Sequence, residues 1–150
     1  MAAMTKVVRY IARGLFSLIF LFAGAGKLMN WQGTVDALSM KLSNWYMHLE
    51  GTVMSRDVHE FLMGSTETLL GVATFLEILG GLLLLFGIKV RWGAFFLLLF
   101  LVPVTVIFHA FWFEIGADRQ REMAVFLKNL ALIGALLYFL VGPQPHKASQ

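Results

Sequence analysis

The stretch TLLGVATFLEILGGLLLLFGI, residues 68–88, decides the fold class because it is a mostly apolar run with a single charged residue, Glu77. A bilayer core about 30 Å thick is crossed by roughly 20 apolar residues in an α-helix. A helix also satisfies its own backbone hydrogen bonds, which lipid cannot do. The stretch therefore predicts a membrane-spanning helix.

Three further stretches have the same character, at residues 7–28, 91–113 and 123–142. Apolar residues make up 59% of the chain and charged residues 14%, which excludes a soluble globular domain and a disordered chain. We therefore expect an all-α fold, an integral membrane four-helix bundle. Residues 1–150 are predicted to form it as a single domain, with the lipid bilayer as its surroundings.

The net charge and the cysteine content exclude several classes of function. The formal net charge of +3 is mild, so no nucleic-acid partner is expected. The absence of cysteine excludes disulfides, thiolate chemistry and cysteine-ligated iron–sulfur clusters. His48 and His59 lack the spacing of metal ligands, so no metal site is predicted.

Basic residues predict the orientation of the bundle in the membrane. They concentrate before the core of the first span, in the connection between the second and third spans, and in the C-terminal tail, at Lys6, Arg9, Arg13, Lys89, Arg91 and Lys147. All of these positions fall on one side of a four-span protein. Because short cytoplasmic segments carry an excess of Lys and Arg, both termini are expected in the cytoplasm.

The first stretch also has a second interpretation. Three basic residues precede an apolar run at 14–22, as in the first part of a secretory signal. The sequence AGA at 23–25 resembles a site that signal peptidase cleaves. A retained span and a cleaved signal peptide both agree with this pattern.

The long segment between the first two spans, residues 29–67, is predicted to contain an amphipathic helix on the outer side. Its apolar residues recur at three- and four-residue steps, at Val35, Leu38, Leu42, Trp45 and Leu49. A shorter second helix is indicated by Val58, Phe61 and Leu62. The simplest interpretation of this segment is a surface lid without chemistry of its own.

Four ionisable side chains lie within or near the spans: Lys27, Glu77, His109 and Lys128. Such residues are rare in membranes and usually face the protein interior. Small residues share a helix face with Glu77 and with Lys128, and they mark contacts between membrane helices. These small neighbours are Ala73, Thr74, Gly80 and Gly81 for the first, and Ala124, Ala131 and Ala135 for the second. Both charges are therefore expected to point into the bundle.

We expect the four side chains, together with Asn129, to form one polar cluster. Glu77 is predicted near the midplane and the others in the outer leaflet. Two lysines and one glutamate give the cluster a formal charge of +1 with His109 neutral. An uncompensated buried charge is costly, so the cluster calls for an anionic or strongly polar ligand, for water, or for an acidic outer-loop residue such as Glu67 or Glu114. The alternative is a structural ion pair that only fixes helix register. No catalytic residue is predicted, and enzymatic activity is left open.

Six short motifs together resemble the DoxX family of small four-helix membrane proteins. They are RGL at 13–15, GAGKL at 24–28, EILGGLLLLFG at 77–87, KVR at 89–91, HAFW at 109–112 and FLKNLAL at 126–132. The resemblance implies a bundle in the inner membrane of a bacterium. The family takes its name from a membrane subunit associated with a thiosulfate:quinone oxidoreductase. Other members are linked to oxidative-stress complexes, and distant relatives act as membrane chaperones or cargo receptors.

The resemblance and the polar cluster lead to two functional hypotheses. In the first, the chain is an accessory subunit of a quinone-linked oxidoreductase, with an oxidoreductase subunit or a second copy of the chain as its partner. Lys27 and Lys128 then attract a quinone oxygen or an anion, and Glu77 balances their charge. His109 exchanges a hydrogen bond or a proton, and Asn129 orients a partner group. In the second, the chain is a membrane scaffold or chaperone with purely structural charges.

A small transporter is a third hypothesis and ranks below the other two. Four short spans leave little room for alternating access unless the protein forms a homo-oligomer.

Overall fold

The structure is a computed structural model that describes residues 2–142, so the predicted basic residue Lys147 lies outside the described residues. Within this range the regular secondary structure is helical, which confirms the all-α prediction. The α-helices are α1 (Ala2–Met29), α2 (Trp31–Leu49), α3 (Arg56–Gly64), α4 (Thr66–Phe86), α5 (Val90–Phe108) and α6 (Gly116–Val141).

Within the described residues, four segments are long and apolar enough to cross a membrane, and they correspond to α1, α4, α5 with the turn that follows it, and α6. α1 packs against α4, α4 against α5, and α5 against α6. A contact between the rings of Phe16 and Phe139, whose centroids are 5.4 Å apart, joins the first of these helices to the last. The predicted membrane bundle is therefore confirmed.

Three helix ends differ from the sequence prediction by five residues or more, and one of them is the start of α1, at Ala2 rather than at residue 7. α6 begins at Gly116 rather than at residue 123, because the charged residues that precede the apolar run continue the helix. α5 ends at Phe108 rather than at residue 113, and a single 3-10 turn, Phe111–Phe113, follows it. Hydropathy marks where a helix leaves the apolar layer, whereas backbone hydrogen bonding decides where the helix ends.

The backbones of α4 and α5 approach each other closely at Gly80 and Gly93. A Cβ atom on Gly80 would lie 2.9 Å from the carbonyl oxygen of Gly93, and one on Gly93 would lie 3.0 Å from that of Gly80. Only glycine permits this contact between the two backbones. The main core beside it contains Leu84, Leu97 and Leu136, all fully buried.

One end of the bundle, called the inner end here, carries arginines at helix C-termini. α4 stops at Gly87, which has the positive φ of 70° typical of a glycine cap, and the guanidinium of Arg13 lies against it. Arg91 Nη2 donates to the carbonyl oxygen of Val141 at 3.3 Å, near the end of α6. Positive charge at a helix C-terminus is favourable. The two predicted cytoplasmic arginines thus lie at the same end.

The opposite, outer end is covered by α2 and α3. Val35, Leu38 and Leu42 of α2 are buried and form a second apolar core with Leu70 of α4. The predicted amphipathic helix between the first two spans is therefore confirmed. α3 begins at its cap residue Ser55, whose hydroxyl accepts a hydrogen bond from the backbone N–H of Val58 at 3.3 Å. Together the two helices form a roof over the bundle.

Candidate functional site

A buried ion pair joins α1 to α4. Lys27 Nζ lies 2.8 Å from Oε2 of Glu77, which is only 1% exposed. Side chains of a helix tilt towards its N-terminus, so a lysine near the outer end of α1 reaches inward. This tilt brings Lys27 down to the level of Glu77, although their sequence positions predict different depths in the membrane.

Lys27 has a second neighbour in the ring of Phe100 on α5, whose centroid lies 5.2 Å from Nζ. The ring face attracts the ammonium group electrostatically. The amine is therefore held between α1, α4 and α5. With one cation and one anion, the pair is formally neutral.

Lys128 does not join this pair, and the expectation that it points into the bundle is wrong. Its side chain is exposed, and the neighbouring Asn129 takes the buried position instead. One residue step turns a side chain by about 100° around a helix. A lysine on the exposed face of a membrane helix extends its charged end towards the polar interface and reaches water there.

Asn129 belongs to a separate polar contact between α6 and α5. Its Nδ2 donates to Oγ1 of Thr105 at 3.1 Å, and that hydroxyl donates to the carbonyl oxygen of Leu101 at 2.6 Å. Asn129 therefore fastens α6 to α5 rather than joining Lys27 and Glu77.

His109 follows the last residue of α5 and contacts Glu122 of α6. Its Nδ1 lies 2.6 Å from Oε2 of Glu122, and Lys41 Nζ of α2 lies 3.8 Å from Oε1. This contact links the roof to α5 and α6. Sequence analysis missed Glu122, although it shares a face of α6 with Phe126 and Asn129 once the helix is extended to residue 116.

A cavity of about 750 Å³ lies between α4 and α5 beneath the roof. Its walls are mostly apolar, and Lys27 and His109 are the ionisable residues that line it within the described part of the chain. α2 contributes Leu38, Leu42 and Trp45 to its cover. Trp45 Nε1 donates to the carbonyl oxygen of Ile107 at 3.1 Å, which fixes this cover to the end of α5.

The cavity opens sideways, towards lipid. Its lining includes side chains of α4 and α5 that are exposed on the outside of the bundle, among them Val72, Leu99 and Val106. These residues lie in membrane-spanning helices, so the opening faces the apolar layer. The cavity therefore suits an apolar molecule that carries a few hydrogen-bonding groups.

The structure thus brings only part of the predicted cluster together. Lys27 and Glu77 are in contact, and Lys27 and His109 line the same cavity. Lys128 and Asn129 lie elsewhere. The predicted formal charge of +1 is therefore wrong for the Lys27–Glu77 site, because the second lysine is absent from it.

The four helices of residues 2–142 that are long and apolar enough to span a bilayer define a multi-pass membrane protein. The DoxX family model matches residues 8–110, more than half of the chain, so the chain belongs to the DoxX family. Lys27, Glu77 and His109 lie within the matched region, whereas Glu122 lies beyond it. Comparison with curated proteins and with solved structures gave no match.

Proposed function

We propose that this protein is an accessory membrane subunit that binds a lipid-soluble quinone in the cavity between α4 and α5. The observation that carries the proposal is the apolar chamber of about 750 Å³, with a lysine and a histidine in its lining and an opening towards lipid. An isoprenoid quinone has an apolar tail and a ring with two carbonyl acceptors. Both parts have counterparts in this chamber.

The neutrality of the Lys27–Glu77 pair favours a neutral ligand over an anion. An ammonium group has three N–H donors, and the carboxylate of Glu77 lies at hydrogen-bonding distance from it. The remaining donors suit a carbonyl oxygen. An added anion would leave the site with an uncompensated negative charge, which is costly in a low-dielectric environment.

The roof favours a ligand that arrives from the bilayer. α2 covers the outer side of the cavity and is held there by Trp45 and by an apolar core. Water-soluble molecules such as thiosulfate have no corresponding route through apolar side chains. In this proposal, a partner oxidoreductase subunit acts on the quinone, since no catalytic group of the chain has been assigned.

The test is binding of decylubiquinone to the purified protein in nanodiscs. Val106 lines the cavity and is 39% exposed, so Val106→Trp places a large ring at the opening. We expect the affinity to fall about tenfold or more, a loss of at least ~1.4 kcal/mol of binding free energy.

Val102→Trp is the matched control. Val102 lies on the same helix and is 44% exposed, but it does not line the cavity. Its substitution is expected to leave the affinity unchanged. Absence of binding by the unmodified protein, or equal binding by both variants, would overturn the proposal.

A second candidate function, a membrane scaffold or chaperone, is favoured by exposed apolar side chains on the outer helices. Met47 of α2 is 70% exposed and Phe61 of α3 is 71% exposed. Exposed apolar groups at one end of a protein are typical of partner surfaces. A Met47→Ser/Phe61→Ser variant that keeps its thermal stability and quinone binding but loses co-purifying membrane proteins would support this function.

A further inference from the structure

His109 is oriented by a carboxylate, and this fixes where its hydrogen lies. An ionised carboxylate only accepts hydrogen bonds. With Oε2 of Glu122 at 2.6 Å, the ring nitrogen Nδ1 must therefore carry a hydrogen and donate it. The ammonium group of Lys41 lies on the other side of the same carboxylate, with Nζ 3.8 Å from Oε1.

The second ring nitrogen of His109, Nε2, then acts as a hydrogen-bond acceptor. In a neutral imidazole with the hydrogen on Nδ1, Nε2 carries a lone pair and accepts hydrogen bonds. Nε2 has no hydrogen-bond partner among residues 2–142, and His109 lines the cavity. The imidazole therefore offers the cavity an acceptor, whereas Lys27 offers a donor.

We infer that His109, with Glu122 as its positioning residue, makes the cavity prefer the reduced, hydroquinone form of its ligand over the quinone. A hydroquinone hydroxyl can donate to Nε2, whereas a quinone oxygen has only lone pairs to set against it. This inference rests on the proposed function, because it concerns the redox form of the same ligand class. It assigns Glu122 a role that neither the family match nor the sequence pattern provides.

Preferential binding of one redox form has a measurable consequence for potential. Tighter binding of the reduced form raises the midpoint potential of the bound ligand. For a two-electron couple, each tenfold preference corresponds to about 30 mV. The protein would thereby hold quinol and release quinone after a partner has removed two electrons and two protons.

The decisive variant is Glu122→Gln. Lys41 faces the Oε1 position, so the amide oxygen of Gln turns towards the ammonium group and the NH2 group turns towards His109. The NH2 group donates to Nδ1, which moves the ring hydrogen to Nε2. His109 would then offer the cavity a donor, and the preference is expected to invert in favour of the quinone.

The experiment measures anaerobic binding of decylubiquinol and decylubiquinone to the protein in nanodiscs. We expect the unmodified protein to bind the quinol at least ~10-fold more tightly, and Glu122→Gln to reverse the ratio of the two Kd values. Glu67→Gln is the control. It removes another carboxylate at the outer end, one that makes no ion pair within residues 2–142, and should keep the original ratio.

A second variant guards against failure of Glu122→Gln to fold. In the unmodified protein, His109 is faced by Glu122 of α6, which is itself faced by Lys41 of α2. His109→Phe keeps an aromatic ring but removes Nε2, so this variant should bind the quinol and the quinone with similar Kd values. Binding of neither form overturns the proposed function. Binding of both forms with a ratio of Kd values that neither Glu122→Gln nor His109→Phe changes overturns only this inference.

Discussion

At the level of single residues, replacement of Glu77 is expected to lower the unfolding free energy strongly, because its carboxylate is buried and forms an ion pair with Lys27. Glu77→Gln would leave the ammonium group without its counter-charge. Removing one member of a buried pair typically costs about 3–5 kcal/mol. We expect a loss of unfolding free energy near the lower end, ~3 kcal/mol, since the lysine side chain is 21% exposed. Thermal unfolding in detergent, followed by tryptophan fluorescence, measures it.

Two further variants serve as controls for the Glu77→Gln result. Lys27→Met/Glu77→Leu removes both charges and should recover most of the stability, because a neutral apolar pair leaves no buried charge. Glu60→Gln breaks an exposed ion pair with Arg56 and should change stability by less than about 0.5 kcal/mol. Equal losses in Glu77→Gln and Glu60→Gln would contradict the buried-pair account.

Residue-level prediction from sequence succeeded where burial follows helix periodicity and failed where it depends on a neighbour's identity. The burial of Glu77 follows from the small residues on its face. Lys128 and Asn129 are adjacent, and the alanines beside Lys128 fit an exposed face as well as a buried one. Glu122 lies before the predicted start of its span, so nothing in the apolar pattern indicated its contact with His109.

At the scale of helices, the contact of α4 with α5 depends on two glycines. Gly93→Ala would place a Cβ 2.6 Å from Cδ1 of Leu84 and 3.0 Å from the backbone oxygen of Gly80. The backbone cannot yield as a side chain can, so the helices must separate. We expect a loss of about 1–3 kcal/mol in unfolding free energy, measured by thermal or denaturant unfolding.

Gly134→Ala provides the control for intrinsic helix propensity. It also lies in a membrane-spanning helix, but nothing lies within 4 Å of the Cβ position. Alanine favours helix over glycine by up to ~1 kcal/mol, so this substitution should be neutral or stabilising. A similar loss in both variants would show that close approach is not the cause.

Sequence periodicity identified α2 but did not place it. The apolar spacing at Val35, Leu38 and Leu42 predicts a helix with one apolar face. A surface helix on lipid and a roof over a cavity require the same spacing. The contact of Trp45 with the end of α5 distinguishes them, and it depends on a carbonyl freed where that helix stops.

For the whole molecule, the arrangement of charged ends supports a proposed location in the bacterial inner membrane with both termini cytoplasmic. Arg13 and Arg91 lie at the inner end, away from the roof. The positive-inside rule assigns such an end to the cytoplasm.

The chain contains no cysteine, so single introduced cysteines report accessibility without background. Met4 is 70% exposed near the inner end, and Val53 is 84% exposed between α2 and α3. In spheroplasts, an impermeant maleimide should label Val53→Cys and spare Met4→Cys until the membrane is opened. The reverse pattern would invert the topology.

The roof formed by α2 and α3 has a thermodynamic consequence for any ligand that binds in the cavity. With the aqueous route covered, exchange takes place with the surrounding fatty-acyl phase, which acts as the reservoir. The fraction of cavities that hold a ligand should then depend on the mole fraction of that ligand in the lipid and not on the volume of buffer. Fusing loaded vesicles with empty ones should release the ligand, whereas diluting the suspension should not.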